Sequence, residues 1–561
     1  MTVEDTAPAK PAASVRRLQA VDVRAACREL VEGLAAEPWG QVSPSVYETG
    51  RLVALAPWLE GHARRLRYLL TGQRADGGWG GPGGYGLGPT LSAVEALLAT
   101  LGRGMDGEMV PDTAEHPLDP AVLAAATERG LRFLSETLPA LTASDIPDLP
   151  ALDVIAPVLI EAINHHLDGR SEKDAHGLRR VSFGGRLVPP PALNTGRATL
   201  LRSMAEAGAA LPEKVLHALE AIGTAVRGNR AIRAERTGAV GASPAATAAW
   251  LDECGARDPH NRSRLFLENV ATRHNGPVPC GIPITIFERS WVLSGLARSG
   301  LASAVPATLV RGLADTLRPT GVAAADGLPA DADTTSVALF ALALLGTPRS
   351  PESLWGFATE THFCTWQGEE GFSVSVNAHV LDAFGLHLEL LARGTAPEDA
   401  FTSKYVAAVD RITLLLREHQ RADGSWTDRW HASPYYATMC CTLALHDYGT
   451  GSAGDAVRRA RRWILATQRD DGSWGHWEGT AEETAYALQI LALTAPAQEE
   501  VRSSIARGKD FLLRIAPDFA SDDKFGPALW HDKDLYYPKA IVWTAVLSAL
   551  HLTDASLTRL R

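Results

Sequence analysis

Apolar residues recur along this chain at the three-and-four spacing of a helix face, in segments at 21–35, 91–101, 121–137, 150–167, 213–227, 286–299, 337–345, 376–391, 433–445, 483–493 and 539–550. Side chains three and four apart share one side of a helix, so each segment predicts a helix with a buried stripe. No run shows the period-two alternation needed to build a sheet. Stretches rich in Gly and Pro, such as 77–89, separate the helical segments and read as loops. The pattern predicts an all-α protein.

Residues 337–345 stand apart because every side chain in the segment is apolar, which predicts a helix buried on all sides. Directly ahead of it lie Asp331-Ala332-Asp333-Thr334-Thr335-Ser336. Asp, Thr and Ser cap helix N-termini, where side-chain oxygens satisfy backbone N–H groups that have no intrahelical partner. One Asp suffices for that purpose, and the second is surplus. Two carboxyl groups in a poorly solvated place do not both ionise easily, so one tends to hold a proton. A helix N-terminus then favours the anion left when the proton departs. Such an acid suits a weakly basic acceptor such as an alkene. A plain helix cap in a surface loop accounts for the same residues, and these six positions alone leave both readings open.

A repeated element adds information. Gln73-Arg-Ala-Asp-Gly-Gly-Trp79, Gln420-Arg-Ala-Asp-Gly-Ser-Trp426 and Gln468-Arg-Asp-Asp-Gly-Ser-Trp474 share one spacing, and each follows the end of an apolar helical segment. Repeats of this kind indicate copies of one supersecondary unit, here helix, Gly turn closed by Trp, helix.

These repeats resemble the Gln-Trp motifs of the squalene-cyclase superfamily, and Asp331-Ala-Asp-Thr-Thr335 resembles the acid motif of its class II terpene cyclases. Further stretches resemble bacterial class II diterpene cyclases in chain order: Trp39-Gly-Gln-Val-Ser-Pro-Ser-Val-Tyr-Glu48, Pro89-Thr-Leu-Ser-Ala-Val-Glu95, Ser243-Pro-Ala-Ala-Thr-Ala-Ala-Trp250, Phe287-Glu-Arg-Ser-Trp291, Asn377-Ala-His-Val380, Trp430-His-Ala-Ser-Pro-Tyr-Tyr436 and Trp530-His-Asp-Lys533. The resemblance implies two α/α barrels, called β and γ. Residues 1–48 plus 300–561 would form the acid-bearing domain and 49–299 the inserted one, with the active site between them.

By the same resemblance Asp333 is the general acid that protonates the terminal double bond of an isoprenyl diphosphate. Asp331 supports it, and the diphosphate is retained while a decalin-type bicycle forms. The DDxxD cluster with which class I cyclases ionise the ester has no usable counterpart, since Asp522-Asp523-Lys-Phe-Gly lacks the third acid. Thr334 departs from the Asp-x-Asp-Asp pattern common in diterpene cyclases. A hydroxyl donates and accepts hydrogen bonds but supplies no charge. Asp-x-Asp-Thr-Thr variants are associated with some drimane-forming sesquiterpene cyclases, so farnesyl diphosphate stands beside geranylgeranyl diphosphate as a candidate substrate.

Composition narrows the classes. At 561 residues, 46% hydrophobic and 21% charged, the chain is long enough for two cores. A net charge of -11 argues against a nucleic-acid surface, so a diphosphate needs a local basic cluster. Cys27, Cys254, Cys280, Cys364, Cys440 and Cys441 show no paired CxxC spacing, as expected of free thiols in the cytoplasm. Residues 1–11 read as a disordered tail, and no run was expected to supply the ~18 apolar residues of a membrane span.

Aromatic faces stabilise carbocations, by about 2 kcal/mol when desolvated. Trp366, Trp430, Tyr435 and Tyr436 lie in family-like segments and are the candidates, whereas Trp79, Trp426 and Trp474 belong to the repeats and read as structural. For the terminating step, Asn377, His379 and His431 are candidates, since imidazole takes up a proton near neutrality or orients a water. Arg429, Lys533 and Lys539 are candidate phosphate contacts, and Glu161 a candidate ligand for the Mg²⁺ expected with a diphosphate. Two other readings are a hopene-type triterpene cyclase and a zinc-binding prenyltransferase-like toroid, the latter hinted at only by Cys440 and His531.

Overall fold

The structure is a computed structural model, and it describes residues 22–103, 118–169, 177–193, 196–395, 401–495, 498–516 and 525–558. The expected tail at 1–11 and the pair Asp522 and Asp523 lie outside the described residues. In chain order the helices are α1 (Val23–Ala36), α2 (Val46–Leu55), α3 (His62–Thr71), α4 (Leu87–Arg103), α5 (Pro120–Thr137), α6 (Leu152–Asp168), α7 (Gly196–Glu206), α8 (Pro244–Trp250), α9 (Glu253–Arg257) and α10 (Arg262–Arg273). There follow α11 (Thr285–Arg298), α12 (Ala307–Ala314), α13 (Ala332–Leu344), α14 (Val374–Ala392), α15 (Thr402–Glu418), α16 (Pro434–Tyr448), α17 (Ala453–Ala466), α18 (Ala481–Thr494), α19 (Glu499–Ile515) and α20 (Lys539–Thr558). The only strands among the described residues are β1 (Trp530–His531) and β2 (Leu535–Tyr536), a short antiparallel hairpin ahead of α20. The expected all-α class holds.

The helices close two rings. In the first, α11, α13, α14, α16, α18 and α20 each pack on the next, and α20 returns to α11. Outside it run α12, α15, α17, α19 and, across the closure at α20, α1 from the start of the chain. In the second, α2, α4, α6, the 3-10 segment Glu213–Ala221 and α8 close on α2, with α3, α5, α7 and α10 outside. The described residues thus start in the first barrel with α1, make the second, and return.

Physical reasons are visible in the inner helices. Asp331, Ser373, Ser433 and Thr480 cap α13, α14, α16 and α18 with side-chain oxygens on first-turn N–H groups. An outer segment brings the chain back between successive inner helices, so these capped ends gather at one mouth of the barrel. The acid motif is one cap in that circle.

The three repeats build one clamp three times. Gln73, Gln420 and Gln468 each donate from Nε2 to a turn carbonyl (Gly77, Gly424, Gly472) and to a carbonyl of the next outer helix (Ala126, Ala456, Ser504), all at 2.8–2.9 Å. Trp79, Trp426 and Trp474 are fully buried, donate from Nε1 to the Leu69, Leu416 and Ile464 carbonyls, and donate their backbone N–H to the Thr90, Thr438 and Thr484 hydroxyl oxygens. Their structural reading stands on these bonds.

Four expectations change. The acid-bearing barrel includes α11, which packs its Trp291, Val292, Leu293 and Leu296 into that barrel's core, so the division falls in the Gly- and Pro-containing stretch before 285 rather than at 300. Helix α2 begins at Val46 and belongs wholly to the second barrel, so the first division falls before it rather than after residue 48. Residues 213–227 form two 3-10 segments rather than one helix, broken at Gly223, whose φ of +83° is a left-handed value suited to glycine. Helix α20 is long and apolar enough to cross a membrane over Lys539–Leu557, contrary to the sequence expectation, but it is an inner staff of the barrel with 61% of that window buried.

Candidate active site

The acid motif sits where the capped mouth of the first barrel meets the second. Asp331 is the N-cap of α13, and its Oδ1 accepts the Thr334 N–H at 2.6 Å. Burial raises its carboxyl to about 7, against the hydrogen bonds from Thr334 and with the help of the neighbouring Asp333 charge. Thr334 therefore points its donors at Asp331, which gives the position a use that needs no third carboxylate. Asp333, two residues on, faces the other way: its Oδ1 lies 2.6 Å from Nδ1 of His379 on α14. Burial alone would lower His379, but the Asp333 charge holds it well above the ordinary imidazole value, and the ring also shares a hydrogen bond with the Cys440 thiol.

Two cavities meet at this pair. The outer one, about 1040 Å³ including space open to solvent, lies between the barrels; Asp331, Asp333, Thr334, Trp366, Trp430 and Phe287 line it from the first barrel and Pro150, Lys214 and His217 from the second. The inner one runs down the first barrel and is lined by His379, Tyr436, Trp291, Cys440 and Tyr486. An aromatic wall runs along both: Trp366 meets Trp430 edge-on at 5.3 Å, and Phe287, Trp291, Trp530 and Tyr436 follow at centroid spacings of 4.2, 6.3 and 4.7 Å. A third space opens from the outer cavity through Lys214, His217, Trp366 and Trp430, and brings Arg197 and Arg429 to its rim.

Several sequence candidates fall elsewhere. Asn377 is fully buried and spends its amide on the Phe363 N–H and the Phe363 and Ser373 carbonyls, so it holds a loop and faces no cavity. His431 is sealed in the wall, accepting the Ser433 N–H at Nδ1 and facing Glu482 at 3.1 Å. Neighbours in an extended segment point oppositely, so Trp430 takes the cavity side and His431 the core. Tyr435 packs on Trp463 at 4.6 Å, turned away from Tyr436 by the ~100° step of a helix. Lys533 is fully buried, bonded to Glu48, Glu220, Ser243 and the His217 carbonyl, and has no donor left for a phosphate. Lys539 is buried at the start of α20 and lines none of the three spaces. Arg429 does reach the rim, 3.0 Å from Asp148 and over the Trp430 ring.

Glu161 does not fit a metal. Its side chain is 73% exposed on α6, with the guanidinium of Arg202 at 3.9 Å. A single carboxylate facing a cation is a poor donor set for Mg²⁺, and no cluster of three or more His, Cys, Asp or Glu suited to a metal occurs among the described residues. The zinc reading fails likewise, for Cys440 lines the inner cavity with His379, while His531 lines the outer one.

The structure adds residues to which the sequence gives no role in the cyclase reading. His217 and Asp532 form a pair across the barrels at 2.8 Å, Lys214 stands at the rim bonded to Glu369, and Trp530, His531 and Tyr536 of the hairpin wall the outer cavity. The segment Trp530-His-Asp-Lys533 stands out in the sequence, but its pattern points to Lys533 as the phosphate contact. Nothing in 213–227 marked Lys214 or His217, because a helix reading places them on an ordinary polar face.

Comparison with known proteins agrees with this geometry. Residues 376–523 match the family model of the squalene-hopene cyclase C-terminal domain. The chain is 40% identical over 95% of its length, and 96% of the relative's, to an ent-copalyl diphosphate synthase of Streptomyces sp. (strain KO-3988). It is 41% identical to a labda-7,13-dienyl diphosphate synthase of Streptomyces clavuligerus, covering 95% of this chain and 93% of that one. The solved ent-copalyl diphosphate synthase of Streptomyces platensis superposes with a TM-score of 0.85 at 44% identity, over 95% of this chain and 99% of that one. The chain therefore belongs to the class II diterpene cyclases of the squalene-hopene cyclase superfamily.

Proposed function

We propose that this enzyme folds geranylgeranyl diphosphate into the outer cavity and closes it, by protonation, to a bicyclic diphosphate. The observation that carries the reading is Asp333: a carboxyl in an aromatic-walled cavity, braced at 2.6 Å by the His379 imidazole. Asp333 gives its proton to the terminal double bond. The His379 ring at 2.6 Å stabilises the carboxylate that results, and a protonated Asp331 keeps a second anion from forming beside it. The cation then moves along the fold of the chain past Trp366, Trp430, Trp530 and Tyr436, whose ring faces stabilise it without reacting.

The diphosphate is retained and rests at the rim, where Lys214, Arg197 and Arg429 exchange the carboxylates they now face, Glu369, Asp153 and Asp148, for phosphate oxygens. Mg²⁺ enters this reading only as a counter-ion carried by the substrate, and no step runs through it. With all six cysteines free, the protein is assigned to the cytoplasm.

The test is incubation of the purified chain and its Asp333→Ala variant with geranylgeranyl and farnesyl diphosphates, followed by phosphatase treatment and mass analysis. A bicyclic C20 alcohol from the wild type and none from the variant is the expected result. Product from the farnesyl substrate alone would move the assignment to the C15 chain, and a fully active variant would overturn the acid role.

A further inference from the structure

A cyclisation begun by protonation ends when a base removes a proton, and the imidazoles at the cavities can be sorted by whether a lone pair remains to do so. His379 is held as a cation between Asp333 and Cys440. His217 places Nδ1 2.6 Å from the Gly241 carbonyl and Nε2 2.8 Å from the Asp532 carboxylate, so both nitrogens donate and neither lone pair is free. His431 accepts the Ser433 N–H on Nδ1 and donates from Nε2 to Glu482, which uses its one lone pair.

His531 differs. Its Nδ1 lies 2.7 Å from the Arg429 carbonyl, and a carbonyl only accepts, so the proton is on Nδ1 and Nε2 carries the lone pair. That Nε2 is buried and has no hydrogen-bond partner among the described residues. The ring is 7% exposed and lines the cavity that holds Asp333. Burial lowers it to about 4, so it stays neutral at physiological pH. An unpartnered buried acceptor is costly, and such a cost is kept where the atom has work to do. The carboxyls of Asp331 and Asp333 stand at the starting end, and Asp532 is engaged by His217.

We propose that Nε2 of His531 is the base that ends the cascade. This rests on the cyclase reading above. A C–H bond next to the final cationic carbon breaks, its electron pair becomes the new alkene, and the proton joins the Nε2 lone pair while Nδ1–H stays on the Arg429 carbonyl. The imidazolium, the acid of a weak base, passes its proton from Nε2 to water as product leaves, and Asp333 is reloaded from solvent. The diphosphate is untouched and the reaction is a net isomerisation. Weak basicity suits this position, because a stronger base would quench early cations.

The test uses His531→Phe, which removes the lone pair and keeps a ring, and His531→Asn, which restores an acceptor, with geranylgeranyl diphosphate as probe. In the Phe variant substrate consumption should persist while the share of the wild-type alkene falls by about tenfold or more in favour of other alkenes or alcohols, and Asn should restore part of it. An unchanged product spectrum overturns the proposal, as does complete loss of turnover in a variant whose circular dichroism is native. If His531→Phe does not fold, His531→Asn is read alone, a shifted product ratio supporting the assignment and an unshifted one overturning it. A wild type that forms no cyclic diphosphate would sink the cyclase reading itself, which is a different result from altered products.

Discussion

At the residue scale the acid site works because two carboxyls in one helical turn are given opposite partners. Asp331 faces backbone and hydroxyl donors and is buried, so it is neutral below about pH 7, whereas Asp333 faces a histidine cation. Ionising Asp331 would set a second negative charge beside Asp333 and weaken the pull of His379 on it. The wild-type rate should therefore fall as pH rises through about 7. Asp331→Asn keeps a capping oxygen and cannot ionise, so its reduced rate should stay flat from roughly pH 6 to 8. A pH–rate profile of both proteins checks this, and an alkaline limb that survives in the variant would rule out Asp331 as its source. Stability has a matching sign. The folded value lies above the unfolded one of about 3.9, so the native state binds the extra proton and loses stability as pH rises between them.

At the element scale the repeats show what a sequence can and cannot disclose. Gln73, Gln420 and Gln468 were legible as one unit because each clamp uses neighbours in sequence: a Gln, a Gly turn and a Trp six residues on. The acid motif was legible for the same reason, since a cap and its helix are adjacent. His531 and His217 were not, because what distinguishes them is which nitrogen meets a carbonyl of Arg429 or Gly241, a contact made only when distant segments converge. Asn377 misled in the reverse direction: its amide completes a loop from residue 363, and a local pattern cannot tell that from a catalytic dyad. The clamps carry a prediction of their own. Trp474→Phe removes the Nε1–H that satisfies the Ile464 carbonyl in a fully buried place, at a cost of about 1–3 kcal/mol. Trp426→Phe should cost a similar amount at Leu416. Neither ring lines a cavity, so urea unfolding should shift while the product ratio does not. A changed product would give these rings a role beyond the clamp.

At the scale of the whole molecule the active site exists only while the two barrels stay in register, and a buried ionic cluster spans the joint. Lys533, in the β1–β2 hairpin of the first barrel, lies 2.8 Å from Glu48 on α2 and 3.0 Å from Glu220 of the second, all essentially without solvent contact. Burial raises the Glu48 carboxyl above its usual range even against the pull of Lys533, while Glu220 and Glu48 hold Lys533 well above its own. The cluster therefore sets one cation between two carboxyls, of which Glu48 is readily protonated. Removing one partner of a buried pair strands the other charge, which costs about 3–5 kcal/mol, so Lys533→Met should destabilise strongly. Because the bond crosses between barrels, its unfolding should split into two steps. Glu48→Gln should be mild, since Ser243 and the Ala245 N–H still have an acceptor and Glu220 still meets the lysine. The sign of its pH dependence follows from the raised carboxyl: the native state holds a proton that the unfolded chain has lost, so the wild type loses stability as pH rises above the carboxylate range, and Glu48→Gln should flatten that slope. Thermal unfolding of the three proteins across pH separates these outcomes. A single cooperative transition in Lys533→Met, with midpoint unchanged, would mean that the hairpin is not what holds the barrels in register.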